Sequence, residues 1–555
     1  MRIQPTSRLL MTAVLLAAGT AGMYGQVRDN RLVAAAEDGD LEAVLGLIAA
    51  DVSVNGPGPD GSTALLWATY HSDVGMARAL IAAGVDVDAA NTYGIAPLLQ
   101  ASRTGDAALV GLLLGAGASL ESVHPDGETS LMAASRSGNS EAVRLLLDAG
   151  AEANAIDTFQ EQTALMWAAA EGHADVVGTL LGRGADPNQR ARLTTIGERK
   201  HADHATGGFT ALHFAVRNGH EEVVRALIEG GADPTLANGD GATPTVVAII
   251  NDRFDLAKTL VDLGADPDDG ALYFAVDMRD ATTDMRAHDG SRLRADHDNA
   301  LTALDLVGLL LERGADPNKP FVGQLHSTTL CCTPEINSSP FFRAAVASDV
   351  ETLKLMIDHG ADVEWSPPAV ESEDGEAGGR GNGNVGRTPV MVAMNGGRGA
   401  PFAAGPGFTR LGPPPFREES NREPLDAVRV LLAVGADPNV KTPDGSTPLH
   451  MAVEARQVAI IREFVAAGAD LDAVDGENLT PLLLAEKPEP PPPPGNNMDA
   501  RTYRRPQDTR EEVIAVLRES MALGPDDPAP VPPPLPEDTE AAESGGESAG
   551  ETAPQ

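Results

Sequence analysis

Cysteine is nearly absent from this chain. Its 555 residues include only Cys331 and Cys332, which excludes a disulfide framework and a four-cysteine zinc site. Positive charge is also short: 41 Lys+Arg stand against 81 Asp+Glu, a formal net charge of −40. Phosphate would be repelled rather than neutralised, so nucleic acid is excluded as an expected partner. Aromatics make up 4% of the residues, which leaves Ala, Leu and Val to fill any core. Gly and Pro, 58 and 41 residues, are too few for a disordered chain, which would hold roughly 25–30% of them. Hydrophobic residues at 42% suffice for burial.

What is present begins with an address. Arg2 and Arg8 precede an apolar run from Leu9 to Gly19, and small residues continue through Gly25. A charged start, a short apolar segment and a small-residue zone describe a signal peptide over 1–25. A membrane span needs about 20 apolar residues, so no stable membrane anchor is expected. No Cys lies near the cleavage zone for a lipid to modify. The expectation is an exported protein, periplasmic or secreted.

Beyond the leader, a repeat dominates. A helix-ending Gly recurs at 84, 117, 150, 184, 231, 264, 314, 360, 435 and 468, with 33 residues between members of the compact pairs. A second marker, Thr-x-Leu or Thr-Pro-x, recurs at Thr63, Thr129, Thr163, Thr210, Thr243, Thr388, Thr447 and Thr480. Such a period means stacked helical units, each too small to bury its own apolar face. Thr followed by Pro places a capping hydroxyl and then a residue pre-set for the first helical turn. Gly supplies the left-handed conformation that ends the second helix. Val176, Val177, Leu180 and Leu181 give that helix one buried face, and Val223, Val224, Leu227 and Ile228 repeat the pattern.

TALHFAVRNGHEEVVRALIEGGADP at 210–234, TALMWAAAEGHADVVGTLLGRGADPN at 163–188 and TPLHMA at 447–452 resemble the ankyrin repeat. The resemblance covers roughly residues 30–522, about eleven to twelve units. It implies an all-α repeat solenoid: an ankyrin-like stack of paired antiparallel helices joined by loop or hairpin fingers, with a concave binding face. The solenoid is expected over 30–486, with insertions near 191–207, 278–300, 320–337, 365–385 and 396–423. A Pro-rich linker (487–508), a C-terminal capping helix (509–522) and an acidic, Pro-rich, disordered tail (523–555) follow.

Candidate chemistry is thin. GNGNVG at 381–386 lacks the preceding strand that a dinucleotide site needs, and reads as a flexible finger. His288, Asp289, Asp296, His297 and Asp298 share one inserted loop, as do His201 and His204, but no framework fixes them for a metal. His213 and His450 occupy the His of the TPLH-like motif, where the resemblance implies structural hydrogen bonds. Adjacent Cys331 and Cys332 could form only a strained bridge. No catalytic residue, cofactor or metal is therefore assigned, and the chain reads as non-catalytic.

The candidate partner-binding residues are Trp67, Tyr70, Trp167, Phe214, Arg217 and Trp365. Trp67, Trp167 and Phe214 each lie four residues after a marker Thr; by resemblance, that position starts the helix lining the concave surface. Tyr70 and Arg217 lie one turn further, and Trp365 opens an insertion. Helix-to-helix packing is the alternative for the residues on these helices. The expected partner is a protein, and the net charge favours one with a basic surface. An effector acting on another cell's proteins is the alternative role, with an enzyme or metal-binding protein using an inserted loop behind it.

Overall fold

The computed structural model describes residues 30–121, 124–193, 207–279, 298–323, 336–368, 384–394, 422–488, 508–525 and 527–532. The expected signal peptide, His201 and His204, the loop 288–297, Cys331 and Cys332, the start of GNGNVG and the tail beyond 532 all lie outside these residues. The chain divides into two compact units, whose described parts meet the boundary at Gly239 and Asp240.

In the first unit, six helix pairs follow one another. They are Arg31–Glu37 with Leu41–Ala49, Ala64–Tyr70 with Val74–Ala82, Pro97–Thr104 with Ala107–Gly115, Ser130–Ser137 with Ser140–Asp148, Ala164–Glu171 with Ala174–Leu181, and Ala211–Asn218 with Glu221–Glu229. Every first helix packs on the first helices before and after it, and second helices do the same in a parallel row. The repeat is therefore an all-α solenoid. The marker threonines explain where first helices start: Thr63 Oγ1 accepts from the Leu66 N–H and Thr163 Oγ1 from the Met166 N–H, both at 3.3 Å. Second helices have caps of their own in Asp40, Asp73, Asp106 and Asn139, each accepting a backbone N–H. These residues satisfy donors that the first turn leaves orphaned.

The core is thin and aliphatic. Leu165, Met166 and Ala169 from one first helix meet Val176, Val177 and Leu180 from its partner, all essentially solvent-free. Gly150, at φ +98°, ends its helix with open space where a Cβ would stand. Gly127, at φ +79°, is different, because a Cβ there would meet the Thr158 backbone nitrogen at 2.6 Å.

Two ladders tie neighbouring repeats together. Finger backbones bond successively: Thr92 N–H to Asp60 O, Thr158 N–H to Asp126 O, and Arg192 N–H to Gln160 O, at 2.7–2.9 Å. Asparagines form the second ladder. Asn154 donates to Gly184 O (3.1 Å) and accepts from Asp186 N–H (2.8 Å), and Asn188 does the same to Gly231 O and Asp233 N–H. Asn318 and Asn439 repeat the arrangement in the second unit.

The second unit also contains six pairs: Pro244–Ile250 with Phe254–Asp262, Ala271–Arg279 with Ala303–Glu312, Pro340–Val346 with Val350–Asp358, Pro389–Ala393 with Pro424–Ala433, Pro448–Glu454 with Val458–Ala466, and Pro481–Glu486 with Arg510–Ser520. A short antiparallel ribbon, Phe321–Gly323 with Ile336–Ser338, pairs Phe321 opposite Ser338. Its Phe321 packs edge-on against Phe274 at 4.8 Å.

A buried ionic knot marks the same unit. Arg279 ends a first helix where one insertion begins, and Arg422 precedes a second helix where another ends. Arg279 Nε donates to Asp349 Oδ2 at 2.6 Å, with both side chains 1% exposed. Arg422 donates to the carbonyl of Arg279, and its Nη2 lies 3.6 Å from the same carboxylate. Asp349 also caps Val350–Asp358 and accepts from Thr352 Oγ1 at 2.9 Å. Burial alone would raise its carboxyl, but the Arg279 bond and the charges of Arg279 and Arg422 outweigh it and hold the group below the usual carboxylate range.

Candidate functional site

The first-helix row of the first unit brings most of the candidate residues onto one set of helices. Trp67 is half-buried, and its ring meets Tyr70 edge-on at 5.6 Å and stacks on His71 at 6.1 Å. Tyr70 itself is 60% exposed. His71 Nε2 reaches back to Glu37 O of the preceding first helix at 2.8 Å, so this aromatic trio is held by the neighbouring repeat.

Three repeats further along, Trp167 is half-buried, and the Arg136 guanidinium lies over its ring at 5.2 Å. The indole Nε1–H is buried, with no partner among the described residues. Phe214 occupies the same register yet is only 8% exposed. It packs edge-on against Phe209 at 5.5 Å. Arg217 covers both rings, at 5.6 Å from Phe209 and 5.2 Å from Phe214. Desolvation against those rings lowers the pKa of Arg217. Phe214 is thus a ring beneath an arginine rather than an open anchor. Trp365 belongs to the second unit, where it meets Phe342 edge-on at 5.6 Å.

Charge on these helices runs against the chain as a whole. The first helices from Ala64–Tyr70 to Ala211–Asn218 hold Arg103, Arg136 and Arg217 and a single carboxylate, Glu171. All three arginines stand seven residues after their helix cap, at Ala96, Thr129 and Thr210. The paired second helices carry Glu141, Asp148, Asp175, Glu221, Glu222 and Glu229 against Arg78, Arg144 and Arg225, and the last two arginines are consumed locally. Arg144 binds Glu141 at 2.9 Å and Asp148 at 3.0 Å, and Arg225 binds Glu221 at 2.7 Å.

Sequence reasoning missed two exposed rings. Tyr93 and Phe159 sit at finger turns and are 62% and 67% exposed, with Ile156 and Leu193 also open. The signal was an aromatic beside a turn residue, in Asn91-Thr92-Tyr93-Gly94 and Asp157-Thr158-Phe159. Among the described large apolar residues exposed in this unit, Leu45 alone lies on a second helix.

The histidines of the motif are structural. His213 Nδ1 lies 2.9 Å from Thr210 Oγ1, and His450 Nδ1 lies 2.8 Å from Thr447 Oγ1. His450 Nε2 donates to Leu479 O of the next repeat at 3.0 Å, and burial lowers its pKa. His173 and His220 were not singled out from sequence. Each donates Nε2–H to a carbonyl of the preceding repeat, Arg136 O and Ala170 O, at 3.1 Å. Among the described residues, no group of three or more His, Cys, Asp or Glu is placed to hold a metal ion, and no helix is long and apolar enough to cross a membrane.

Comparison with known proteins matches a family model described as ankyrin repeats (3 copies) at residues 32–122, 98–191, 193–271 and 419–488, more than half of the chain. The human ankyrin repeat and MYND domain-containing protein 1 is 27% identical over 206 residues, covering 30% of this chain and 20% of that protein. The ARF GTPase-activating protein Git of Drosophila melanogaster is 49% identical over 55 residues, 10% of this chain and 8% of its own length. This chain therefore spans only a minor part of those relatives. Among solved structures, the human ASB11 ankyrin repeat domain is 26% identical, with a TM-score of 0.36, covering 42% of this chain and 97% of that one.

Proposed function

Because the chain belongs to the ankyrin-repeat family, whose repeats serve as protein-interaction scaffolds, we propose that it is an exported, non-catalytic scaffold that holds a partner protein on the first-helix row and fingers of its first unit. The observation that supports this reading most is the distribution of exposed rings. Tyr70, Tyr93 and Phe159 lie open on that row and its fingers, with Trp67 and Trp167 half-covered beside them. Trp and Tyr carry a large share of interface energy because each buries much area at little entropic cost. A stacked array also presents its surface preformed, which limits the ordering cost of binding. A partner surface that is basic overall would meet the carboxylate-rich second helices rather than this row.

Export rests on the leader: Arg2, Arg8 and the run Leu9–Gly19. N-terminal sequencing of the mature protein should start between Thr20 and Gln26; recovery of Met1 would refute export through this leader. The binding test is in-cell crosslinking from the first-helix row to capture the partner, followed by affinity measurements on Trp67→Ala and Trp167→Ala. Each substitution should weaken the captured partner by about 2 kcal/mol, roughly thirtyfold, with helicity nearly unchanged. Arg144→Glu and Arg225→Glu, on second helices, should change it far less. Unfolding of the Trp variants would assign those rings to packing instead.

A further inference from the structure

Two of the three rings that share a register on the first-helix row already carry a guanidinium supplied by this chain. Trp167, four residues after its cap Thr163, lies beneath Arg136, which stands seven residues after the preceding cap Thr129. Phe214, four residues after Thr210, lies beneath Arg217 of its own helix. Trp67, four residues after Thr63, differs from both. The position that Arg136 takes relative to Trp167 is held, relative to Trp67, by Glu37, seven residues after Asn30 on the preceding first helix. The position that Arg217 takes relative to Phe214 is held by Tyr70.

The groups around Trp67 suit a cation brought from outside. Glu37 is exposed, and its carboxylate makes no hydrogen bond or ion pair among the described residues. Its carbonyl accepts from His71 Nε2 at 2.8 Å, which ties the two first helices together beside it. Trp67, Tyr70 and His71 form a triangle of rings with centroids 5.4–6.1 Å apart. Trp67 and His71 lie within 25° of parallel, and Tyr70 stands at 82° to both. Tyr70 is 60% exposed, so a cation can come within the roughly 6 Å of a ring centre at which attraction is felt. Arg103, in the register of Tyr70 on the following helix, is bound by Glu128 at 3.1 Å, which offsets its charge. A planar guanidinium can stack on an aromatic ring while its fork gives a carboxylate two parallel hydrogen bonds. Arg136 on Trp167 shows the stacking half of that arrangement in this register.

We propose that Trp67, Tyr70 and Glu37 receive one arginine side chain of the partner protein, its guanidinium against the rings and its fork on the Glu37 carboxylate. The proposal rests on the reading that this row is the binding face. It deepens that reading by naming the chemistry of one contact. A single arginine is enough, so the site operates on a row whose own arginines repel a broadly basic surface.

The test uses the full mature chain labelled with fluorotryptophan, whose three Trp residues give fluorine NMR resonances assigned by single Trp→Phe variants. The probe is N-acetyl-arginine amide, compared with N-acetyl-lysine amide and N-acetyl-glutamine amide. Titrations are run at about 150 mM NaCl, where exposed charges more than about 8 Å apart are screened. The arginine probe should shift the Trp67 resonance saturably and leave those of Trp365 and of Trp167, already under Arg136, in place. Glu37→Gln and Tyr70→Ala should each raise its Kd by at least about threefold. The lysine probe should bind more weakly, and the glutamine probe should not bind. Unmoved Trp167 and Trp365 resonances in both variants show that the array is intact. Glu37→Gln should also weaken the captured partner. A Trp67 resonance that ignores the arginine probe, or an arginine Kd matched by lysine or glutamine, overturns the proposal. So does a Kd that is the same in Glu37→Gln. If Trp67→Ala and Trp167→Ala still weaken the captured partner in that case, the binding face stands and only its arginine site is lost. If they do not, the face itself is wrong.

Discussion

Asp349→Asn is the sharpest perturbation of the second unit. Asn preserves the shape of the side chain and an oxygen for the cap on Thr352 N–H (3.3 Å), so helix capping survives. What disappears is the buried carboxylate shared by Arg279, which is 1% exposed, and Arg422, which is 6% exposed, while the part-exposed Glu351 stays 3.9 Å from Arg279 Nη2. Removing one partner from a buried ion pair leaves an uncompensated charge and costs about 3–5 kcal/mol. Here Glu351 still offsets part of the Arg279 charge, so the lower part of that range is expected. The loss should be local, because each repeat is stabilised by its neighbours. Hydrogen exchange followed by mass spectrometry should show faster exchange in 271–279, 340–358 and 422–433, with the first unit unaffected. Acid should reproduce the effect in the unmodified protein. The folded pKa of Asp349 is depressed, so its contribution is complete above the unfolded value of about 3.9 and disappears as pH falls through the lower folded one. The Asn variant should lack that acid-sensitive component. Replacing the whole knot with Arg279→Met, Asp349→Leu and Arg422→Met should recover most of the loss, because buried ionic clusters return little net stability over apolar packing. A loss below 1 kcal/mol, or exchange that rises evenly along the chain, would refute the reasoning.

Asp269 should behave with the opposite sign. Burial raises its carboxyl to about 6, against the opposing bonds from Thr243 and Ala271 N–H. Its folded state therefore holds the proton more tightly than the unfolded one, and stability of the second unit should fall between about pH 4 and 6, by at most about 3 kcal/mol. Asp269→Asn should flatten that slope in urea titrations across this range, and an unchanged slope would discount the shift. Two glycines with positive φ should also separate. Gly150→Ala meets open space and should cost only the left-handed strain of about 1–2 kcal/mol. Gly127→Ala adds a clash with the Thr158 backbone, so its loss should be larger and should break the finger bond from Thr158 N–H to Asp126 O. Thermal melts of equal depth for the two would contradict the finger geometry.

The repeat, its helices and their caps were legible because each depends on residues close in sequence. Thr163 caps three residues away, Gly150 turns its own backbone, and Val176, Val177 and Leu180 recur at helical spacing, so a 33-residue window contains the whole cause. The asparagine ladder was half legible: Asn154 and Asn188 stand four residues after a helix-ending Gly, but their partners belong to the next repeat. Register alone could not say that Trp67 is open to its neighbours while Phe214 lies beneath Arg217. That outcome depends on Phe209 and on what stands in the adjacent units. The knot was beyond sequence reading altogether, since Arg279, Asp349 and Arg422 are separated by 70 and 73 positions and meet only because two insertions leave from the same edge as a tight turn. Local spacing determined the solenoid. Stacking decided which charges are buried, which rings are covered and which arginines face outward, because each is a contact between residues that the chain itself keeps far apart.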